Sequence, residues 1–116
     1  MARAITTHYL FDADEAGRAV TLDAVEDDAG EPYVYVLGLN GSDGVTQSST
    51  HLQFQRGLAS TEVNGITDEA LLAIVIDRLE RDGHREEENW ALTYASATLA
   101  HLKKRTARRI REAAKL

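Results

Sequence analysis

The chain has 116 residues, enough for one self-sufficient core and little more. It contains no cysteine and no apolar run near the ~18–20 residues of a membrane span, which excludes a disulfide framework, thiolate metal sites and a transmembrane helix. Its formal charge of −6 hides an asymmetry: residues 1–102 carry 6 basic against 18 acidic side chains, and residues 103–116 carry 7 against 1. An acidic body with one basic end suits a compact anion better than a long polyanion, because non-specific nucleic-acid binding requires many phosphates to be neutralised together. The opening residues MARAITTHYLFD lack the apolar block of a signal peptide, so a cytosolic protein is expected.

The first half reads as short strands divided by turn chemistry. Arg3–Phe11 and Ala19–Val25 alternate partially and flank the polar stretch Asp12–Arg18, as the arms of a hairpin do. Glu26–Pro32 (EDDAGEP) is a loop by composition. Tyr33–Leu39 (YVYVLGL) is apolar at nearly every position, as in a strand covered on both faces. Asn40–Gly44 (NGSDG) is the strongest turn signal in the chain. Val45–Phe54 is polar and rich in Ser and Thr, and completes a four- or five-stranded antiparallel meander.

From Thr67 the period changes. Thr67 is placed to cap a helix whose first turn carries Asp68 and Glu69, where the dipole favours negative charge. Leu72, Val75, Ile76 and Leu79 recur at i, i+3, i+4, i+7, while Leu71 and Ile74 point elsewhere, so this helix is expected to pack on more than one side. Gly83 supplies the stop. A second helix starts near Glu87 and runs for about 28 residues, with Leu92, Ala95, Leu99, Leu102, Thr106, Arg109 and Ala113 forming a narrow seam suited to another helix. The expectation is one α+β domain over residues 1–116: an N-terminal antiparallel β-meander (1–63) followed by a two-helix antiparallel hairpin (64–116).

The basic residues of the last helix divide by angle at ~100° per residue. Lys104, Arg108, Arg111 and Lys115 project away from the seam into solvent. Dipole compensation accounts for cations in the last turn only, leaving Lys103, Lys104, Arg105, Arg108 and Arg109 to repel one another. Arg109 lies within the seam and Arg105 borders it. A half-buried guanidinium requires a partner. Two partners meet that requirement: an acid of another subunit, or the phosphates of a ligand, for which two arginines one turn apart suit a pyrophosphate bidentately. Trp90 and Tyr94, also one turn apart, serve either as packing residues or as a stacking surface for a purine.

Nothing in the chain points to catalysis. His8, His51, His84 and His101 show no metal-ligand spacing, and there is no GxSxG, GxGxxG or Walker-type lysine. The acids Glu86–Glu88 precede a helix, where dipole effects account for them. Neither a cofactor, a metal nor a catalytic residue is expected.

Phe54-Gln55-x-Gly57, Glu62-Val63, the run NGITDEALLAIVIDRL (Asn64–Leu79) and LKKRTARR (Leu102–Arg109) together resemble the Thoeris anti-defence protein 1 family, whose helical hairpin is shared with anti-CBASS protein 2. The resemblance covers residues 52–112. It implies a phage protein, acting in the cytosol of the infected bacterium, that sequesters without cleaving the nucleotide second messengers of bacterial immunity: cyclic ADP-ribose isomers and, in some members, cyclic oligonucleotides. It also implies homodimers that build hexamers, with pockets between subunits. On this resemblance Arg105 and Arg109 match the helix arginines that grip ligand phosphates and Asn89 is the nearest counterpart of a family asparagine; Phe54 of the shared motif, and Trp90 and Tyr94 by their spacing, complete the expected ligand-binding set. In place of the family's longer Gly-Pro-Phe-Ala-Cys-type loop this chain has the acidic Arg81–Asn89. Two alternatives remain beside the sponge: an interaction protein of the same fold whose arginines pair with a neighbour's Glu86–Glu88, and a weak nucleic-acid-binding module.

Overall fold

A computed structural model describes residues 2–8, 20–41, 45–82 and 85–115, and the chain divides into two compact units, Met1–Phe54 and Gln55–Leu116. The division falls nine residues earlier than the expected 63/64 boundary, because the loop after the last strand closes on the helical unit.

In the first unit, β1 (Ala2–Ala4), β2 (Val20–Glu26), β3 (Pro32–Asn40) and β4 (Thr46–Gln53) form a four-stranded antiparallel sheet in the order β1-β2-β3-β4, the expected meander. The registers Leu22↔Leu37↔Thr50 and Ala24↔Tyr35↔Leu52 set the larger apolar residues of β2 and β3 on one face. Thr21↔Gly38↔Ser49 and Asp23↔Val36↔His51 occupy the other. The alternation thus follows the period of two that a half-covered sheet requires. Tyr35 and Phe54 meet edge to face at 5.2 Å on the apolar side. Asp27 builds the β2–β3 turn: its Oδ1 accepts from the Ala29 and Glu31 amides at 2.9 Å each. Gly30 takes the positive φ of 80° that a residue with a Cβ would adopt only under strain.

Two expectations for the sheet are corrected. β3 is not enclosed on both faces: Tyr33–Leu37 are half-buried and Leu39 is 48% exposed, while Ala24 of β2 is, among the described residues, the fully buried apolar side chain. The uninterrupted apolar run came from the polar face being occupied by valines. The first strand is also much shorter than Arg3–Phe11. After the bond from the Ile5 amide to the Leu22 carbonyl (2.8 Å) the chain turns, and the His8 Nε2–H donates to the Val20 carbonyl at 2.7 Å. That carbonyl is the one a continuing strand would have paired. The expected turn Asp12–Arg18 lies outside the described residues, as do most of Asn40–Gly44, Gly83 and His84.

The second unit opens with a closed loop, 55–66. The Gln55 amide donates to the Ile66 carbonyl (2.7 Å), and its side chain bridges the loop by donating to the Glu62 carbonyl (2.7 Å) and accepting from the Asn64 amide (3.1 Å). Asn64 reciprocates, its Oδ1 accepting from the Arg56 amide (2.8 Å) and its Nδ2 donating to the Arg56 carbonyl (3.0 Å). Gly57 sits at φ 74° in this turn. Gln55 and Asn64 thus lock the loop through side-chain bonds to its backbone.

Helix α1 spans Asp68–Asp82 and α2 spans Glu86–Ala114. Thr67 caps α1, its hydroxyl accepting from the Ala70 amide at 3.1 Å. The two helices pack as a hairpin along Leu72, Ile76 and Leu79 of α1 and Leu92, Ala95, Leu99 and Leu102 of α2, all half-buried. Val75, expected in that contact, is 42% exposed and joins Leu71 and Ile74 on an uncovered apolar face of α1. No residue of either helix is fully buried. Among the described residues no helix is long and apolar enough to cross a membrane.

Candidate anion-binding site

The site is set by the unequal lengths of the helices. At ~1.5 Å per residue α1 is ~22 Å long and α2 ~43 Å. Because the hairpin is antiparallel, the N-terminal turn of α1 lies against α2 about two-thirds of the way along. There Thr106 Oγ1 donates to Glu69 Oε2 at 2.6 Å, and Arg105 Nη2 stands 3.5 Å from Asp68 Oδ2. The acids that stabilise the start of α1 thus also meet the basic end of α2, Asp68 at Arg105 and Glu69 at the hydroxyl of Thr106. Hairpin topology and the first-turn acids together are the signal for this contact.

Arg105 is the distinctive side chain. It is 35% exposed, its Nε is buried without a hydrogen-bond partner, and the Nη2 on the same edge of the guanidinium makes only the long contact to Asp68. The edge that ordinarily grips an oxyanion through two parallel N–H donors is therefore half used, and loosely. A buried donor left unsatisfied costs on the order of 1–3 kcal/mol, so the arrangement favours any oxygen that reaches both nitrogens.

Arg109 is placed differently from the expectation. It is exposed, not in the seam, as is Ala113. α1 begins at Asp68, level with Arg105, so no turn of α1 lies farther along to cover Arg109. Every residue from Arg108 to Lys115 is exposed. Arg109 still lies one turn (~6 Å) beyond Arg105 and ~40° around the helix, so the two guanidinium groups serve one patch. The cations expected in solvent are there: Lys104, Arg111 and Lys115 are exposed, and Arg108 forms an exposed i,i+4 pair with Glu112 at 3.8 Å.

The remaining candidates gather elsewhere. Trp90 and Tyr94 stack with ring centroids 6.0 Å apart and planes 25° from parallel, and are 54% and 67% exposed. The Trp90 indole N–H points to Glu86 Oε1 at 3.5 Å. Asn89 is exposed beside them. Tyr94 and Arg105 are eleven residues apart, which puts them within ~20° of one another around α2 but ~16 Å apart along it. Aromatic pair and arginines are two patches on one stripe. Phe54 belongs to the sheet unit, half-buried against Tyr35. Near the aromatic patch, Glu88 Oε2 is buried without a partner, one turn before Leu92 on the side of α2 that faces α1. Among the described residues no group of three His, Asp or Glu is arranged to hold a metal ion.

Neither a protein-family model nor any curated protein matches the chain.

Proposed function

We propose that the protein is a non-catalytic sponge that sequesters a nucleotide second messenger of bacterial anti-phage immunity, a cyclic ADP-ribose isomer or a cyclic oligonucleotide, in the cytosol of an infected cell. The observation that carries this reading is Arg105, a half-buried guanidinium whose oxyanion-gripping edge has a buried, unpartnered Nε. The resemblance of Asn64–Leu79 and Leu102–Arg109 to the Thoeris anti-defence protein 1 family supplies the class of ligand. Arg105 and Arg109 take the phosphates, and the stacked Trp90 and Tyr94, with Asn89, take a base.

The magnitudes are adequate. Charge-assisted hydrogen bonds at ~1.5–3 kcal/mol each and base stacking at ~1–3 kcal/mol approach the ~12 kcal/mol of nanomolar binding. Arg105 is already held by the helix pair, whereas the exposed Arg109 loses up to ~2 kcal/mol of side-chain freedom on binding. Arg105 is accordingly the stronger anchor. Because the aromatic and arginine patches lie ~16 Å apart on one helix, a compact ligand that uses both takes one patch from each of two chains. The uncovered face Leu71, Ile74 and Val75 supports such a homo-oligomer, since exposed apolar patches of this kind mark protein interfaces.

The test is retention and return. Purified protein is mixed with each candidate messenger, filtered, and heat-denatured. A sponge depletes the filtrate and gives back intact ligand on denaturation. Arg105→Ala abolishes the depletion, and Arg109→Ala weakens it less. Ligand that stays in the filtrate, or that returns cleaved, sinks the reading. An interaction protein would instead lose its assembly in Arg105→Ala and retain no messenger in either form.

A further inference from the structure

Resting on the sponge reading, we infer that Asp68 is a built-in competitor of the ligand: a displaceable counter-ion that covers the donor edge of Arg105 and sets an affinity threshold that a ligand reaching Arg105 alone clears poorly. Asp68 Oδ2 lies 3.5 Å from Arg105 Nη2, too far for a strong charge-assisted bond, and no second oxygen reaches Nε. Its side chain is 54% exposed, so it has room to turn into water. The neighbouring contact is of another kind. Thr106 and Glu69 are joined at 2.6 Å and part-buried, fixing the helices one residue along from the pair that moves. Asp68 keeps a favourable place at the start of α1 when released, because the helix dipole stabilises its charge with or without Arg105.

The consequence is a threshold. A ligand must replace the Asp68 contact and supply an oxygen to Nε, and it does so beside a carboxylate that repels it. A single phosphate reaching Arg105 alone gains little over the contact it breaks. A pyrophosphate that also reaches Arg109, ~6 Å along the helix, recovers the loss through the second arginine. Asp68 thus sets the threshold of the site, and the reach to Arg109 decides which ligands clear it.

Calorimetric titration with inorganic phosphate, inorganic pyrophosphate and cyclic ADP-ribose tests this on the wild-type protein, Asp68→Asn and Asp77→Asn. The last removes one charge from the same helix at an exposed acid that pairs with Arg81 instead. Asp68→Asn is expected to tighten pyrophosphate and inorganic phosphate alike, each by up to about fivefold, the worth of a displaced exposed pair, and so to lower the threshold for both. Asp77→Asn changes neither by as much as twofold. Asp68→Ser, a second neutral replacement, repeats the first result if the carboxylate is the cause. Unchanged or weaker binding in Asp68→Asn, with wild-type binding intact, overturns the inference and leaves the sponge reading standing. Equal gains in Asp68→Asn and Asp77→Asn also overturn it, since net charge then suffices. Absence of binding to all three probes in every form also overturns the inference, while the sponge reading then falls only if the cyclic oligonucleotides likewise stay in the filtrate of the retention test.

Discussion

The two halves of α2 share one pattern and differ in what the pattern meets. From Leu92 to Leu102 the three-four spacing of apolar residues is answered by Leu72, Ile76 and Leu79 of α1, and the side chains are half-buried. From Arg108 to Ala114 the same spacing continues through Arg109 and Ala113, and every residue is exposed. Periodicity names the side of a helix that a partner would cover. The partner's length decides how much of that side is covered. Here α1 ends the contact at Asp68 and Glu69, and what begins beyond it is a cationic overhang, ~10 Å long, with Arg105 at the junction.

Leu99→Asp against Ala113→Asp is the harshest trial of that division. A carboxylate forced into the seam at Leu99 combines a lost apolar contact with an uncompensated charge, and about 2–4 kcal/mol of stability is expected to go. The same change at Ala113 sits in water and costs less than ~0.5 kcal/mol in the isolated chain. Both are read from the midpoint of urea unfolding followed by far-ultraviolet circular dichroism. Comparable losses at the two positions would show that the overhang is covered as well, and a protein-concentration dependence of the midpoint would identify another chain as the cover.

The loop 55–66 offers a second comparison, between a segment held by side chains and the helices held by packing. Gln55→Ala removes a side chain that donates to the Glu62 carbonyl and accepts from the Asn64 and Gly65 amides. Three backbone groups lose their partner at once, so a loss of about 2–3 kcal/mol is expected, with hydrogen exchange at the Asn64 and Gly65 amides accelerating first. Retained protection at those amides would mean that the backbone, and not Gln55, defines the loop.

What could be read in the sequence follows the range of the forces involved. The four strands in meander order, the Thr67 cap, and both helices to within a residue or so rest on local chemistry: alternation, Asp and Gly in turns, a hydroxyl before a run of helix formers. Arg109 was misplaced because its burial depends on where another helix begins, which a period of 3.6 cannot contain. The short β1 escaped notice because a single side chain, His8, takes the Val20 carbonyl. For the candidate site, the choice of Arg105 was legible from its angle to the seam, but Asp68 and Thr106–Glu69 required knowing that residues thirty-seven apart are level in the hairpin. Gln55 and Asn64 were visible only as letters of a motif, since their work is done across eight to ten residues of loop.

The finest distinction is between the two contacts at the junction itself. Thr106→Val keeps the size and shape of the side chain and removes the hydroxyl that donates to Glu69 at 2.6 Å. Glu69 is only part-buried, so water can replace the lost donor, and the expected loss is about 1 kcal/mol, less than for a buried acceptor left bare. Asp68 and Arg105, joined at 3.5 Å and more exposed, should hold the helices together by less than that. If Thr106→Val lowers the unfolding midpoint by more than Asp68→Asn does, then the adjacent pairs divide their labour. Glu69–Thr106 fastens the hairpin, and Asp68–Arg105 is left free to open. The reverse order, with Asp68→Asn the more damaging, would make the Asp68–Arg105 contact the structural one and take from Arg105 the freedom that a ligand requires.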